Sequence, residues 1–348
     1  MRYLQRKVMY IFTKRLPDAQ KIRYNASKKR LFNAICQIKF TFVDHFFCKT
    51  PILSLSLQQN FKYLLAMKKT VFTLILTAAA LTGCTQKAAQ TTEEITQEVS
   101  LDGAVATLSD GTVVTWLKDN AGDRLMPRSL FPEAPDSLIE ALGLQEGIPA
   151  SVSTFLMKAD GKWILFDAGL GEMGHGQTIA GMAELGLTPD SISELYITHF
   201  HGDHIGGMVA DGKPVFANAE VYTGAVEYKA WIEEMPEEKN GLQRAAMEAY
   251  KEHLHLFEFG DTLTHGIVAL DAVGHTPGHT AFEKGELLII GDLMHGAALQ
   301  LEHPEFSGNY DMDKAQAAAS RERLINYAKE KHLIMAGMHL PEPAFIAQ

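Results

Sequence analysis

Thr198-His199-Phe200-His201-Gly202-Asp203-His204 puts three imidazoles and a carboxylate into six consecutive positions, in the pattern H-x-H-x-D-H. It follows directly on the apolar, strand-like run Leu195-Tyr196-Ile197-Thr198. An ordinary core has no use for so many polar rings, because every buried imidazole needs a partner for both ring nitrogens. A pair of divalent cations does, since imidazole nitrogen and carboxylate oxygen are donors that zinc takes at roughly 2.0–2.2 Å. The competing reading is a coincidental polar loop, and the rest of the chain weighs against it.

One hexad cannot fill two coordination spheres, and further donors follow it. Gly274-His275-Thr276-Pro277-Gly278-His279-Thr280 offers His279 at a Pro/Gly turn, where a backbone can hold a side chain in an open cleft. Leu287-Leu288-Ile289-Ile290-Gly291-Asp292 is a short buried-strand pattern that ends in a carboxylate. His332-Leu333-Ile334-Met335-Ala336-Gly337-Met338-His339 repeats that design with a histidine. Each apolar strand delivers a donor at its C-terminal end, the edge where α/β sheets build sites. His275 shares the turn of His279 and is expected to shape the loop or support the site from behind. His45, His253, His255, His265 and His303 read as surface or structural histidines.

Two cations about 3.5–4 Å apart can clamp a shared water or hydroxide and polarise a substrate oxygen. Bound water drops to a pKa near 7, so hydroxide is available at neutral pH to attack a carbonyl or phosphoryl centre. A bridging carboxylate such as Asp292 would fix the separation of the ions, and Asp203 can orient the hydroxide. The implied reaction is hydrolysis of an ester-like bond. A closed structural zinc site would favour cysteine. Only Cys36, Cys48 and Cys84 occur, all ahead of the donor blocks.

These residues resemble the metallo-β-lactamase-fold hydrolases, and the similarity runs from about Ala104 to the C-terminus. It includes Ser153-Thr154-Phe155-Leu156 and Phe166-Asp167-Ala168-Gly169-Leu170-Gly171 before the hexad, and Asp211-Gly212-Lys213-Pro214-Val215-Phe216 and Ala219-Glu220-Val221-Tyr222 after it. The latter blocks, with Gly291-Asp292-Leu293 and His339-Leu340-Pro341, are most similar to the branch holding methyl parathion hydrolase and related lactonases. The resemblance implies a four-layer αβ/βα sandwich. It also implies that His199, His201 and His279 hold one metal, that Asp203, His204 and His339 hold the second, and that Asp292 bridges both. β-Lactamases with a cysteine ligand are disfavoured, because Asp292 stands at that point in the order of ligands. So are diiron flavoprotein relatives, which carry glutamate where this chain has His201. His295 stands where lactonase relatives often place a substrate-touching tyrosine. It could protonate a leaving alkoxide or be a spectator.

The N-terminal region has a different character. Residues 1–66 hold 13 of the 32 Lys and Arg but, among acids, only Asp18 and Asp44, a net of +11 against −21 for the remainder. So sharp a shift suggests an over-extended N-terminus of low order, with Met67 the true start; the alternative is a basic arm. Met67-Lys68-Lys69, an apolar run and Leu81-Thr82-Gly83-Cys84 read as a bacterial lipoprotein signal across 67–84. The expectation is cleavage before Cys84, lipid attachment there, and a periplasmic or extracellular protein anchored to the cell envelope. The apolar run is about half the ~20 residues of a spanning helix. Residues 85–100 form a polar tether, and 101–348 the hydrolase domain.

Within that domain, strands are expected at 103–108, 112–117, 153–157, 163–167, 195–198, 220–223, 267–272, 287–290 and 333–336. Helices are expected at 136–142, 178–185, 225–235, 242–255 and 313–331. The loop Gly169–Gly176 is expected to line the mouth of the site, with Leu170 and Met173 as apolar walls.

The acidic balance beyond residue 66 disfavours nucleic acid as a partner. The expected partner is a small-molecule substrate: a lactone, ester or organophosphate triester. A homodimer is left open. The cofactors would be two divalent ions, zinc by default, with manganese, iron or cobalt also compatible with an N/O site. A catalytically idle metal-binding periplasmic protein is the alternative from another class. A glyoxalase-type thioesterase or a β-lactamase is the alternative within the fold.

Overall fold

Alternation of side chains along buried strands sets the layers of this molecule. In β6 (Ser153–Ala159), Phe155 and Met157 enter one apolar cluster and Leu156 the other. Ile164 and Phe166 against Leu165 in β7 (Lys162–Phe166), and Tyr196 against Leu195 in β8 (Ile192–Tyr196), divide the same way. A sheet that buries both faces needs cover on both sides, as parallel strands generally do. The computed structural model describes residues 99–348. The expected extension, signal, lipidation site Cys84 and most of the tether lie outside the described residues.

The larger sheet has eight strands, in the order β1-β2-β3-β6-β7-β8-β11-β12. The others are β1 (Ser100–Asp102), β2 (Val105–Thr107), β3 (Val113–Lys118), β11 (Glu220–Gly224) and β12 (Leu254–Phe257). Pairing is antiparallel from β1 through β7 and parallel from β7 through β12. The second sheet runs β13 (Val268–Asp271), β14 (Thr280–Lys284), β15 (Leu287–Gly291), β16 (Ile334–Gly337), β17 (Phe345–Ala347), with only β15 and β16 parallel. Two ribbons complete the strands: β4 (Arg124–Met126) with β5 (Ile148–Ala150), and β9 (Val209–Ala210) with β10 (Lys213–Pro214).

The main core lies between the sheets, where Phe155 meets Phe345, and Phe166 and Tyr196 meet Phe282, with Ile289 paired beside Phe282. Leu324, Ile325 and Ala328 of the helix Lys314–Lys331 belong to the same cluster and cover the second sheet. On the outer face of the first sheet, Met182 of the helix Thr178–Glu184 and Ala246 and Met247 of Gly241–Ala249 pack onto Leu165, Leu195 and Val221. The result is helix, sheet, sheet, helix: the α/β sandwich expected. Among the described residues no helix is long and apolar enough to cross a membrane.

Two expected helices differ from the sequence reading, and the strand Thr280–Lys284 is not among those expected. The helix expected over 242–255 stops at Ala249, and residues 254–257 become the edge strand β12, paired with Val221–Gly224. The buried Tyr250 marks the break: its hydroxyl donates to the Met208 carbonyl and accepts from the Phe216 N–H, both at 3.0 Å, which fixes the chain as it leaves the helix. The 225–235 helix is a short α-helix, Ala225–Tyr228, continued as a π-helical turn over Lys229–Glu234.

Candidate metal centre

The hexad leaves the end of β8 and is pinned at once. The Thr198 N–H and hydroxyl both donate to Asp167, at 2.8 Å each. Phe200 drives its ring into the outer apolar cluster, while its N–H donates to Glu227 at 2.9 Å. With Phe200 pointing into the core, His199 and His201 face the other way. His201 then caps a single helical turn, Gly202–Ile205, which carries Asp203 and His204. Glu227 also accepts from Thr276 Oγ1 and Gly278 N–H at 2.8 Å, so one buried carboxylate clasps the hexad to the Pro/Gly turn.

Two groups of donors converge. Nε2 of His199, Nδ1 of His201 and Nε2 of His275 stand in sequence at 3.1 and 2.9 Å, with Asp292 Oδ2 3.3 Å from the His275 nitrogen. The second group is Asp203, His204 and His339, with His339 Nε2 3.3 Å from Asp203 Oδ2. Asp292 reaches this group too: Oδ1 is 3.1 Å from His204 Nε2 and Oδ2 3.1 Å from His339 Nε2. Donors bound at 2.0–2.2 Å around a tetrahedral ion are about 3.3–3.6 Å apart. The spacings here, 2.9–3.3 Å, are a few tenths of an ångström tighter, so the donors would move apart slightly to take a cation in each group.

Four of the rings are tied from behind. Nδ1–H of His199 donates to Thr198 Oγ1 at 3.0 Å, that of His204 to Asp167 at 2.7 Å, that of His275 to Asp311 at 3.0 Å, and that of His339 to the Ser151 carbonyl at 2.8 Å. These partners assign the tautomers and leave the Nε2 lone pairs facing the cluster. His204 Nε2 and Asp292 Oδ1 are buried with no hydrogen-bond partner. Buried polar atoms rarely stay orphaned, so the cluster is chemically incomplete without cations.

Charge in the cluster is finely divided. Burial, with His275 and His204 nearby, pushes His201 down to about 4. Against the desolvation of burial, Asp292 and Asp203 push His339 up to about 10, and Asp292, Asp167 and Asp203 raise His204. Asp292 is itself held well below the carboxylate range despite burial, chiefly by His204 and His339. Carboxylates that draw protons onto adjacent imidazoles would equally draw metal ions in their place.

The structure brings His199, His201, Asp203, His204, Asp292 and His339 together. His279 stands apart from both groups. Its Nδ1–H donates to the Ala272 carbonyl at 2.9 Å, and its Nε2 accepts the Asp292 backbone N–H at 3.0 Å. With both nitrogens spent, it orients Asp292, while His275 fills the place expected for His279. The cause is close packing: Gly278 packs directly on the Glu227 backbone, and Gly291 (φ +51°) lies against the His279 ring, so the second histidine of the turn is locked under the strand end. His295 is fully buried beside Asp292, with its Nε2 3.2 Å from Asp292 Oδ2 and its Nδ1 without a hydrogen-bond partner, and its ring stacks on His339 at 5.2 Å.

A cavity of about 370 Å³ opens onto the cluster, floored by His201, Asp203, His275, Asp292, His295 and His339 and walled by Arg124, Met126 and Tyr310. The glycine loop does not line it. Leu170 is tied by its N–H to Asp119 at 2.7 Å, and Met173 is 98% exposed. Asp311, Arg321 and the wall residues escaped the sequence reading, because each lies far from the donor blocks and in no motif. His275 carried a usable signal, as the first of two histidines in one turn.

Comparison with known proteins agrees with this geometry. The metallo-beta-lactamase superfamily model matches residues 147–339, more than half of the chain. A 68-residue stretch is 38% identical to ribonuclease Z of Pyrococcus abyssi (strain GE5 / Orsay); the chain spans 20% of the length of that curated relative, and the match covers 20% of this chain. Among solved structures, the hydrolase AbOPH of the beta lactamase superfamily is 27% identical with TM-score 0.62, covering 71% of this chain and 94% of that one. AidC, a dizinc quorum-quenching lactonase solved with a product, is similar in fold at 24% identity and TM-score 0.61, covering 68% and 90%. The fold, the donor cluster and the matched family converge: this chain belongs to the metallo-beta-lactamase superfamily of hydrolases.

Proposed function

We propose that this chain is a dinuclear-metal hydrolase of ester-like bonds, acting on a lactone, an ester or an organophosphate triester. The observation that carries the reading is Asp292, whose two oxygens reach both groups of converging imidazole nitrogens. His199, His201 and His275 would hold one divalent ion, and Asp203, His204 and His339 the other, with Asp292 shared. When bound, such a pair supplies Lewis-acid polarisation and water activated at neutral pH. The chain's residues do the rest. Asp203, at the cavity floor and partly open to it, orients the attacking water. His295, among the residues lining the cavity and 3.2 Å from Asp292, would touch the leaving group. Zinc is the expected ion, since the donors are imidazole and carboxylate.

In this reading the chain belongs with the methyl parathion hydrolase and lactonase-like branch, a reading supported by the resemblance of its sequence blocks. Cys84 would carry a lipid that anchors the protein in a bacterial cell envelope. Zinc- or manganese-loaded protein should turn over at least one of an acyl-homoserine lactone, an aryl lactone, an aryl ester and an aryl phosphotriester, and Asp203→Ala should abolish that turnover. Two bound metal ions with no turnover of the panel would favour an idle metal-binding protein instead.

A further inference from the structure

Arg124 lies in β4 in register with Ala150 of β5, and the next residue, Ser151, accepts from Nδ1–H of His339. Arg124, itself exposed, is therefore carried on a hydrogen-bonded ribbon joined directly to the donor cluster, and it is among the residues that line the cavity opening there. Neighbouring cations are neutralised: Arg128 pairs with Asp136, and Lys118 with Glu342 at 3.2 Å and with Asp123 at 4.0 Å. Among the described residues Arg124 has no carboxylate partner. The carboxylates in its own cavity, Asp203 and Asp292, are committed to His204 and His339. Tyr310, half exposed, adds a phenolic hydroxyl to the same space.

An uncommitted guanidinium in a cavity wall is a fork of parallel N–H donors, shaped for an oxyanion. A neutral acyl chain would leave those donors to water. We propose that Arg124 binds a carboxylate or phosphate that the substrate carries away from its scissile bond, so that the preferred substrates are acidic esters or lactones. The proposal rests on the hydrolase reading for its term "substrate", while the anion site stands on the cavity itself.

The test compares kcat/KM of the zinc-loaded full chain on 4-nitrophenyl hemisuccinate and on the neutral 4-nitrophenyl butyrate. A 3-phosphonopropionyl ester distinguishes phosphate from carboxylate. The anionic-to-neutral ratio should fall about tenfold in Arg124→Gln and recover in part in Arg124→Lys. In parallel, calorimetry compares N-phenylsuccinamic acid with N-phenylbutyramide, which are not turned over. The wild type should bind the acid more tightly, and Arg124→Gln should erase the difference. A difference that survives in Arg124→Gln places the anion on the metal ions and overturns the proposal, as does the absence of discrimination in both assays. Discrimination in binding with no turnover of any ester would overturn the hydrolase reading and leave the anion site standing.

Discussion

Asp311 accepts the Nδ1–H of His275 at 3.0 Å and, through its other oxygen, holds the buried Arg321 at 3.0 Å. The chain His275–Asp311–Arg321 runs from the donor cluster into the long helix. Against the desolvation of burial, the bond from His275 and the nearby His295 and Arg321 hold Asp311 at about 2. Outer-shell partners of this kind orient a ligand ring and raise its basicity. Asp311→Asn should therefore weaken metal binding about 10–100-fold, read by competition with a chromogenic chelator. It should also destabilise the fold by about 3 kcal/mol in urea, because Arg321 loses its counter-charge. Unchanged metal affinity would show that His275 needs no such support.

The two histidines of the Pro/Gly turn should separate cleanly. His275→Ala removes a converging nitrogen and should lower the metal content of purified protein by one ion per chain. His279→Ala removes the acceptor of the Asp292 N–H and should retain both ions with reduced affinity. Elemental analysis after dialysis decides the assignment, and the reverse pattern would restore His279 as the ligand.

Glu227 accepts three hydrogen bonds, from Phe200 N–H, Thr276 Oγ1 and Gly278 N–H. A glutamine offers one acceptor oxygen and points its amide hydrogens at other donors. Glu227→Gln should cost about 1–3 kcal/mol, visible as an earlier urea midpoint. A variant as stable as wild type would mean that the clasp contributes nothing.

A pH effect is expected far from the centre. Glu194 is buried, which alone would raise its pKa, but bonds from Thr264, His265 and Lys162 hold it below the ordinary value of 4.5. A carboxylate with a depressed folded pKa stabilises the protein above its unfolded pKa and loses that contribution as pH falls through the folded one. The stability gap between wild type and Glu194→Gln should thus be widest near neutral pH and close below about 4.5. Urea melts at several pH values measure it; a gap that stays constant throughout contradicts the assignment.

Much of this molecule was legible in its residues. The H-x-H-x-D-H stretch and the three apolar runs that end in a donor fixed the edge at which the site forms, because strand ends are short-range features. Which histidine of Gly274–Thr280 faces the cluster was not legible, because it depends on Gly278 and Gly291 lying against neighbours remote in sequence. The same applies to Asp311 and Arg321, joined to His275 only by tertiary contact, and to residues 254–257, where pairing with β11 overrode a helical pattern.

Equilibrium titration of the chelator-stripped full chain with Zn²⁺, followed by calorimetry, tests the central claim most directly. The account predicts saturation at two ions per chain, with Asp292→Ala unable to hold the pair. Saturation at one ion or fewer in the wild type would contradict it.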